Sequence, residues 1–142
     1  MKNLDRFKKA QAQDFDLALQ EIKAGRKESH WIWYIFPQLR GLGYSQMSDY
    51  YGIANFSEAE DYLEDPLLSS RLKLICEELL KHKNLRIQNI LGSIDALKLQ
   101  ASMTLFSLAS EEEEENNIFK KVLDCFFNGE LHKPSLDLLG IS

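Results

Sequence analysis

The residues best suited to chemistry lie between positions 25 and 31, in the stretch GRKESHW. Arg26 and Lys27 supply two cations, and His30 supplies an imidazole that can transfer protons near neutral pH. They follow a helix-ending glycine and precede a predicted helix start, whose free N–H groups favour anions. We expect this stretch to bind a phosphate or carboxylate, with His30 as an acid–base candidate. The alternative is a solvated loop in which the imidazole fixes a turn.

A second polar set lies on a helix predicted over 94–109. Asp95, Lys98 and Ser102 are three and four residues apart, so their side chains share one face of that helix. Asp95 is the second acid–base candidate, Lys98 would bind the anion, and Ser102 would supply a hydroxyl to the ligand. The simpler alternative is a surface ion pair of Asp95 and Lys98, worth a few tenths of a kcal/mol.

Four more side chains complete the candidate ligand-binding set. Trp31 or Trp33 would stack on an aromatic ring, although tryptophan is more often structural. Gln11 lies within the apolar stripe of the first predicted helix, where an unpaired amide is costly. Gln38 follows a rigid proline and would read the donor and acceptor of a ligand edge, or else cap the turn.

Cysteines and histidines give no sign of a metal or cofactor. The chain has two cysteines and no Cys-x-x-Cys or His-x-x-x-His pair, so we expect no metal site. Cys76 and Cys125 each lie beside an apolar helical stripe and next to no cation in the sequence, which predicts buried, inert thiols.

The charge pattern excludes several classes of protein. The net charge is −5, from 22 acids and 17 bases, and five of the acids form the run at 111–115. The rest is neutral, which argues against general nucleic-acid binding, although residues 23–40 are locally basic. No apolar run approaches the roughly 20 residues of a membrane span, and the first residues lack the features of a signal peptide. We expect a cytoplasmic protein without a membrane partner.

Apolar periodicity predicts an all-α fold. The 142 residues suit a single compact domain, 1–142, with five or six main helices plus short helical turns and a Glu-rich loop at about 110–116. A short helix over 31–36 is expected to take Ser29 as its cap. Ser57 and Asp65 are the predicted caps of two later helices. Ile94 and Leu97 belong to the predicted inward stripe of the 94–109 helix.

The polar motifs resemble a known bacterial family, the domain of unknown function 1810. The segment GRKESHWIWYIFPQLRGLG, residues 25–43, is similar to its hallmark block. Matching blocks are Phe7-x-x-Ala10-Gln11 upstream and Gly92-x-x-Asp95-x-x-Lys98-x-x-x-Ser102 downstream, and the similarity runs from about residue 7 to 139. One departure is Ala101, where the family often has a serine. Members are often labelled calpastatin, a flexible and repetitive inhibitor that an aromatic-rich chain without repeats does not resemble.

The resemblance implies a mainly helical single domain but does not indicate any particular activity. It also picks out the polar residues nominated above, which favours a shared polar pocket; they are Gln11, Arg26, Lys27, His30, Gln38, Asp95, Lys98 and Ser102. The expected function is binding of an anionic, nucleotide-like small molecule, with glycosidase-type hydrolysis of an ADP-ribose or modified nucleotide as one version. The alternative is a non-catalytic interaction domain or homodimer that uses the aromatic block 31–51.

Overall fold

The computed structural model describes residues 4–141, and within that range the chain forms nine α-helices and no β-strand. In chain order they are α1 (Asp5–Lys23), α2 (Ile32–Ile35), α3 (Gln46–Tyr50), α4 (Phe56–Glu64), α5 (Pro66–Leu80), α6 (Ile87–Leu91), α7 (Ser93–Ala109), α8 (Ile118–Phe127) and α9 (Lys133–Leu139). A 3-10 helix, Glu114–Asn116, interrupts the Glu-rich loop. The all-α prediction is confirmed, but five or six main helices is too low a number. The sequence pattern predicts neither α3 nor α6, each of five residues.

Side-chain caps fix where α4 and α5 begin. The Asp65 carboxylate accepts two first-turn N–H groups of α5, at 3.0 and 3.1 Å, and Pro66 is the first helical residue, as predicted. The prediction for α4 is wrong, because Ser57 lies inside the helix. Asn55 caps it instead and accepts the N–H of Glu58 at 2.9 Å, which places the capping box two residues earlier.

The core is built around α7. Residues 101–106 are all buried, because α7 packs against α4, α6 and α8. A helical segment that is covered on every side has no single inward-facing stripe. The stripe predicted from the sequence is wrong at the N-terminal end of α7. Ile94 is 73% exposed and Leu97 59% exposed, whereas Ala96 and Leu99 face the core. None of the helices in residues 4–141 has the length and apolar character to cross a membrane.

The segment between α2 and α4 is held by backbone pairing and by one buried arginine. Leu39 and Ile53 form a parallel bridge, in which the N–H of Ile53 donates to the carbonyl of Gln38 at 2.9 Å. Arg6 of α1 is 5% exposed and donates to the carbonyl of Gly52 at 3.0 Å. These contacts fix Gln38 beside α2 and α7.

Candidate functional site

The loop between α1 and α2 contains the basic stretch, and two backbone hydrogen bonds set its course. Gly25 has φ +76°, a left-handed conformation that favours glycine. The N–H of Arg26 donates to the carbonyl of Glu21 at 3.0 Å. The N–H of Lys27 donates to the carbonyl of Ile90 in α6 at 2.7 Å. Because α7 begins three residues after Ile90, this bond brings Lys27 next to the start of α7.

A buried carboxylate, Glu21, holds the rest of the loop. It is 8% exposed and accepts the N–H groups of Glu28 and Ser29 at 2.8 and 2.9 Å, the Ser29 hydroxyl at 2.6 Å and the indole N–H of Trp31 at 3.0 Å. Burial opposes its charge, but these hydrogen bonds, led by that of the Ser29 hydroxyl, outweigh burial and lower its pKa to about 2. Glu21 therefore stays ionised and anchors the loop.

Sequence reasoning missed Glu21, although its place in the pattern was a signal. It sits beside Ile22 on the buried side of α1, one turn before the glycine that ends the helix. Ser29 is engaged by Glu21 and is not the cap of α2, which begins at Ile32 without a capping side chain. The predicted role of Ser29 as a helix cap is therefore wrong.

Two lysines share one carboxylate where the loop meets α7. The ammonium of Lys27 lies 2.9 Å from Oδ2 of Asp95, and that of Lys98 lies 3.6 Å from Oδ1. Lys27 also donates to the carbonyl of Ser29, whereas Lys98 lies 4.9 Å from the ring centroid of Trp33. We call Lys27, Asp95 and Lys98 the Asp95 cluster, and its formal charge is +1.

The Asp95 cluster borders an open cleft of about 570 Å³. We call it the α7 cleft because the first residues of α7 form one wall and the loop before α2 forms the other. Its lining residues are Lys27, Glu28, Ser29, His30, Ile32, Trp33, Leu91, Gly92, Ser93, Ile94, Asp95 and Lys98.

The start of α7 adds free backbone donors to this cleft. Gly92 is the N-cap residue, and no side chain caps the first turn of this 17-residue helix. A Cβ atom at Gly92 would have no neighbour within 4 Å among the described residues, so its φ of +86°, rather than close packing, accounts for the glycine. Uncapped N–H groups carry a partial positive charge of about half a unit at a helix start.

Trp33 separates the α7 cleft from a narrow crevice on its other side. The crevice borders Trp33, Gln38 and Lys98 and measures about 10 Å³, roughly the room that one water molecule needs. The indole N–H of Trp33 is buried and has no hydrogen-bond acceptor within residues 4–141. A buried donor without an acceptor costs about 1–3 kcal/mol.

The structure brings five of the ten nominated residues to the α7 cleft; they are Lys27, His30, Trp33, Asp95 and Lys98. Gln38 borders the adjoining crevice. Arg26 is exposed and borders neither hollow.

Three of the nominated ligand contacts lie in the interior, which corrects their expected role. Gln11 is 2% exposed, and its amide nitrogen donates to the Tyr34 carbonyl at 2.8 Å and to the Tyr62 hydroxyl at 3.0 Å. Trp31 is fully buried, so its ring has no free face for stacking. Ser102 is also fully buried, and its hydroxyl has no partner in the described chain. Gln11 and Trp31 hold the helices together, as hydrogen-bonded polar groups in a core commonly do.

Most of the aromatic block 31–51 belongs to the core, which leaves little of it for an interface. Trp31, Tyr34 and Phe36 are at most 6% exposed. Tyr44 and Tyr50 are the most exposed aromatic side chains of this block, at 104% and 56%.

The thiols differ from each other. Burial raises the pKa of Cys76, which is inert as predicted, whereas Cys125 is exposed, so its predicted burial is wrong. The described residues contain no group of three His, Cys, Asp or Glu side chains placed to hold a metal ion.

Two further grooves, of about 300 and 360 Å³, lie on either side of Lys73. Glutamates from α4, α5 and the Glu-rich loop line them, with Lys73 and Lys121 as their cations. These grooves lack the combination of paired lysines, imidazole and uncapped helix start that distinguishes the α7 cleft.

Comparison with known proteins identifies the family and gives no activity. The family model described as "Protein of unknown function (DUF1810)" matches residues 1–139. The crystal structure of the conserved hypothetical protein Rv1873 from Mycobacterium tuberculosis is similar over 99% of this chain and 98% of that chain, with 38% identity and a TM-score of 0.92. No functionally curated protein matches the sequence. The chain belongs to the DUF1810 family.

Proposed function

We propose that this member of the family binds an anionic, nucleotide-like small molecule in the α7 cleft. The observation that supports this most is the sharing of one carboxylate by two lysines beside an uncapped helix start. An ammonium has three N–H donors. Lys27 gives one to Asp95 and one to the Ser29 carbonyl. Lys98 gives one to Asp95, so each lysine keeps at least one donor. A phosphate placed there would meet two ammonium groups and the first N–H groups of α7.

The local charge supports an anion and sets its position. The Asp95 cluster contributes a formal +1, and the start of α7 adds about half a positive charge. Glu28 also lines the cleft and is exposed, so at the rim it offsets part of this charge. The anionic group of the ligand is therefore expected next to Lys98 and the first N–H groups of α7, away from Glu28.

The rest of the cleft suits an organic group larger than a phosphate. A volume of about 570 Å³ lies within the range of about 300–1,000 Å³ that small-molecule sites occupy. Ile94 is largely exposed and the Trp33 ring partly so, which offers apolar surface for a flat base or a sugar.

A glycosidase-type reaction on an ADP-ribose or modified nucleotide would need a free acid–base group in the cleft. His30 is exposed and its imidazole makes no hydrogen bond within residues 4–141, so in this version it would protonate the leaving group. Asp95 is engaged by both lysines and would position the cations.

Thermal unfolding with and without ligands tests the binding proposal. We expect pyrophosphate and ADP-ribose to raise the melting temperature of the wild-type protein, and Lys98→Ala to lose most of that rise. Lys73→Ala is the matched control, because it also removes a partly buried helical lysine that borders a different hollow. No stabilisation by either probe, or equal loss in both variants, would contradict the proposal. For the hydrolytic version, His30→Ala should abolish release of free base or ribose while leaving the stabilisation intact.

The alternative, an interaction domain or homodimer, would depend on Tyr44 and Tyr50, since they are the exposed aromatics of the block. Size-exclusion chromatography with light scattering tests it. Association that the double replacement by alanine removes would support the alternative.

A further inference from the structure

The crevice behind Trp33 has a mostly apolar lining, and three of its polar residues carry hydrogen-bond donors that make no hydrogen bond within the crevice. The indole N–H of Trp33 and the ammonium of Lys98 are donors only, and the Gln38 amide provides a further N–H₂ group. The Gln38 side chain makes no hydrogen bond within residues 4–141, because only its backbone carbonyl is engaged, by Ile53. Donors of this kind need an acceptor oxygen opposite them.

The two tryptophans show that the lack of an acceptor is particular to Trp33. Two positions earlier, the indole N–H of Trp31 donates to Glu21 at 3.0 Å. The indole N–H of Trp33 is equally shielded from solvent and meets no acceptor in the described chain. One turn after Lys98 on α7, the buried hydroxyl of Ser102 also lacks a partner. Trp33 and Ser102 thus hold the unpaired buried side-chain groups of the described residues, whereas Glu21 has four hydrogen-bond donors.

The size of the crevice limits what it can accept. At about 10 Å³ it admits one water-sized group, such as an oxygen atom, and excludes a ring. Trp33 and Lys98 border both the crevice and the α7 cleft, so a group in the crevice can belong to a molecule bound in the cleft.

We propose that the crevice is a subsite for one carbonyl oxygen of the ligand, which would accept the indole N–H of Trp33. This rests on the proposed function, because the rest of the ligand lies in the α7 cleft. A carbonyl oxygen fits better than a hydroxyl, since it brings no further donor into a crevice that already contains donors, and it can take a second hydrogen bond from Lys98 or Gln38. The ligand class becomes a phosphate ester that carries a carbonyl group, as oxo-pyrimidine nucleotides do.

The indole N–H resonances of ¹⁵N-labelled protein test this directly. The chain has two tryptophans, so the spectrum holds two such signals, and Trp31 is the internal control. The spectrum of Trp33→Phe assigns them. Titration with uridine 5′-monophosphate should shift the Trp33 signal downfield and leave that of Trp31 in place. Ribose 5-phosphate and inorganic phosphate should bind without moving the Trp33 signal in that way.

Affinity gives a second measurement. Trp33→Phe keeps a ring but removes the N–H, so uridine 5′-monophosphate should bind about five- to tenfold more weakly while inorganic phosphate is unaffected. The subsite is overturned if uridine 5′-monophosphate binds with no change at Trp33, or if all three probes shift its signal equally. If none of the three probes binds, the subsite and the proposed function fall together; binding with an unchanged Trp33 signal removes the subsite alone. If the variant does not fold, nuclear Overhauser contacts of the wild-type protein assign the two indole signals, and the wild-type titration still decides the matter.

Discussion

Two carboxylates, Glu21 and Asp95, contact the same loop and have different surroundings. Glu21 is enclosed by four hydrogen bonds, two of them from backbone N–H groups whose positions the loop fixes. Asp95 is held by the ends of two long lysine side chains and borders an open cleft. Fixed donors make a rigid anchor. Of the two lysines at Asp95, the Lys27 side chain is 7% exposed and that of Lys98 is 24% exposed, so Lys98 is the one with room to turn towards a ligand. The difference supports Glu21 as part of the fold and Asp95 as part of the candidate site.

The largest expected effect on stability is the difference between replacing Trp31, which donates to Glu21, and replacing Trp33, which borders the α7 cleft. Trp31→Ala should lower the free energy of unfolding by about 3–5 kcal/mol, because it empties a fully buried site and takes one donor from Glu21. Trp33→Ala should lower it by about 1–2 kcal/mol, since its side chain is partly exposed and its N–H has no partner to lose. Urea unfolding of both variants checks this. Equal losses would show that Trp33 also belongs to the core.

Glu21→Gln should have the next largest effect. The new amide N–H₂ group would face backbone and side-chain donors that bind an anion in the wild-type protein. We expect the free energy of unfolding to fall by about 2 kcal/mol at pH 7. Solvent beside the loop screens part of the full effect. The folded-state pKa of Glu21 lies near 2, below its ordinary value of 4.5, so its contribution is complete above about pH 5. Stability should therefore fall as the pH drops from about 5 to about 2, and this fall should be smaller in the variant. Urea midpoints across this range measure it, and identical slopes in both proteins would argue against the anchor role.

Asp95→Asn should change stability less and ligand binding more. The side chain is partly exposed and asparagine keeps an oxygen for the lysines, so we expect a loss of about 1 kcal/mol. The formal charge of the Asp95 cluster rises from +1 to +2, which should strengthen pyrophosphate binding several-fold at low salt. Isothermal titration at two salt concentrations checks this. Weaker binding in the variant would mean that Asp95 itself contacts the ligand.

The smallest expected effect is that of Glu28→Gln. Glu28 is exposed and lines the cleft, and only its backbone N–H is used by Glu21, so the free energy of unfolding should change by less than about 0.5 kcal/mol. Loss of a negative charge from the rim should raise the association rate of pyrophosphate by a small factor that disappears at high salt. Stopped-flow measurements test it, with Glu60→Gln as the control, because Glu60 is also exposed and borders a different hollow.

Much of the fold follows from local sequence signals, and the exceptions have physical reasons. The Asp65-Pro66 start of α5 is predictable because cap and helix start are adjacent in the chain. The inward face of α7 is not, because residues 101–106 are buried on every side and two of the helices that pack on α7, α4 and α8, are separate from it in the sequence. The sequence predicts Ser29 as the cap of α2, but its hydroxyl donates instead to the carboxylate of Glu21, eight residues earlier.

The sequence predicts the residue types of the candidate site, but it predicts only partly which of these residues lie together in the structure. Lys27, Asp95 and Lys98 are nominated by their charges and spacing, but their meeting depends on the course of the loop past α6. Gln11 lies in an apolar helical stripe and Gln38 follows a proline, and both are nominated as ligand contacts. The fold makes Gln11 a buried link between helices and Gln38 a neighbour of the crevice.

The hydrogen bond from the Lys27 N–H to the Ile90 carbonyl joins the two walls of the α7 cleft without using any side chain. Every residue except proline can supply that N–H, so this bond should survive substitution of the Lys27 side chain. Related chains could then exchange the lysines, the imidazole or the tryptophan and keep the same receptacle. Sequence divergence on such a scaffold would change the ligand specificity of the cleft before it changed the shape of the cleft.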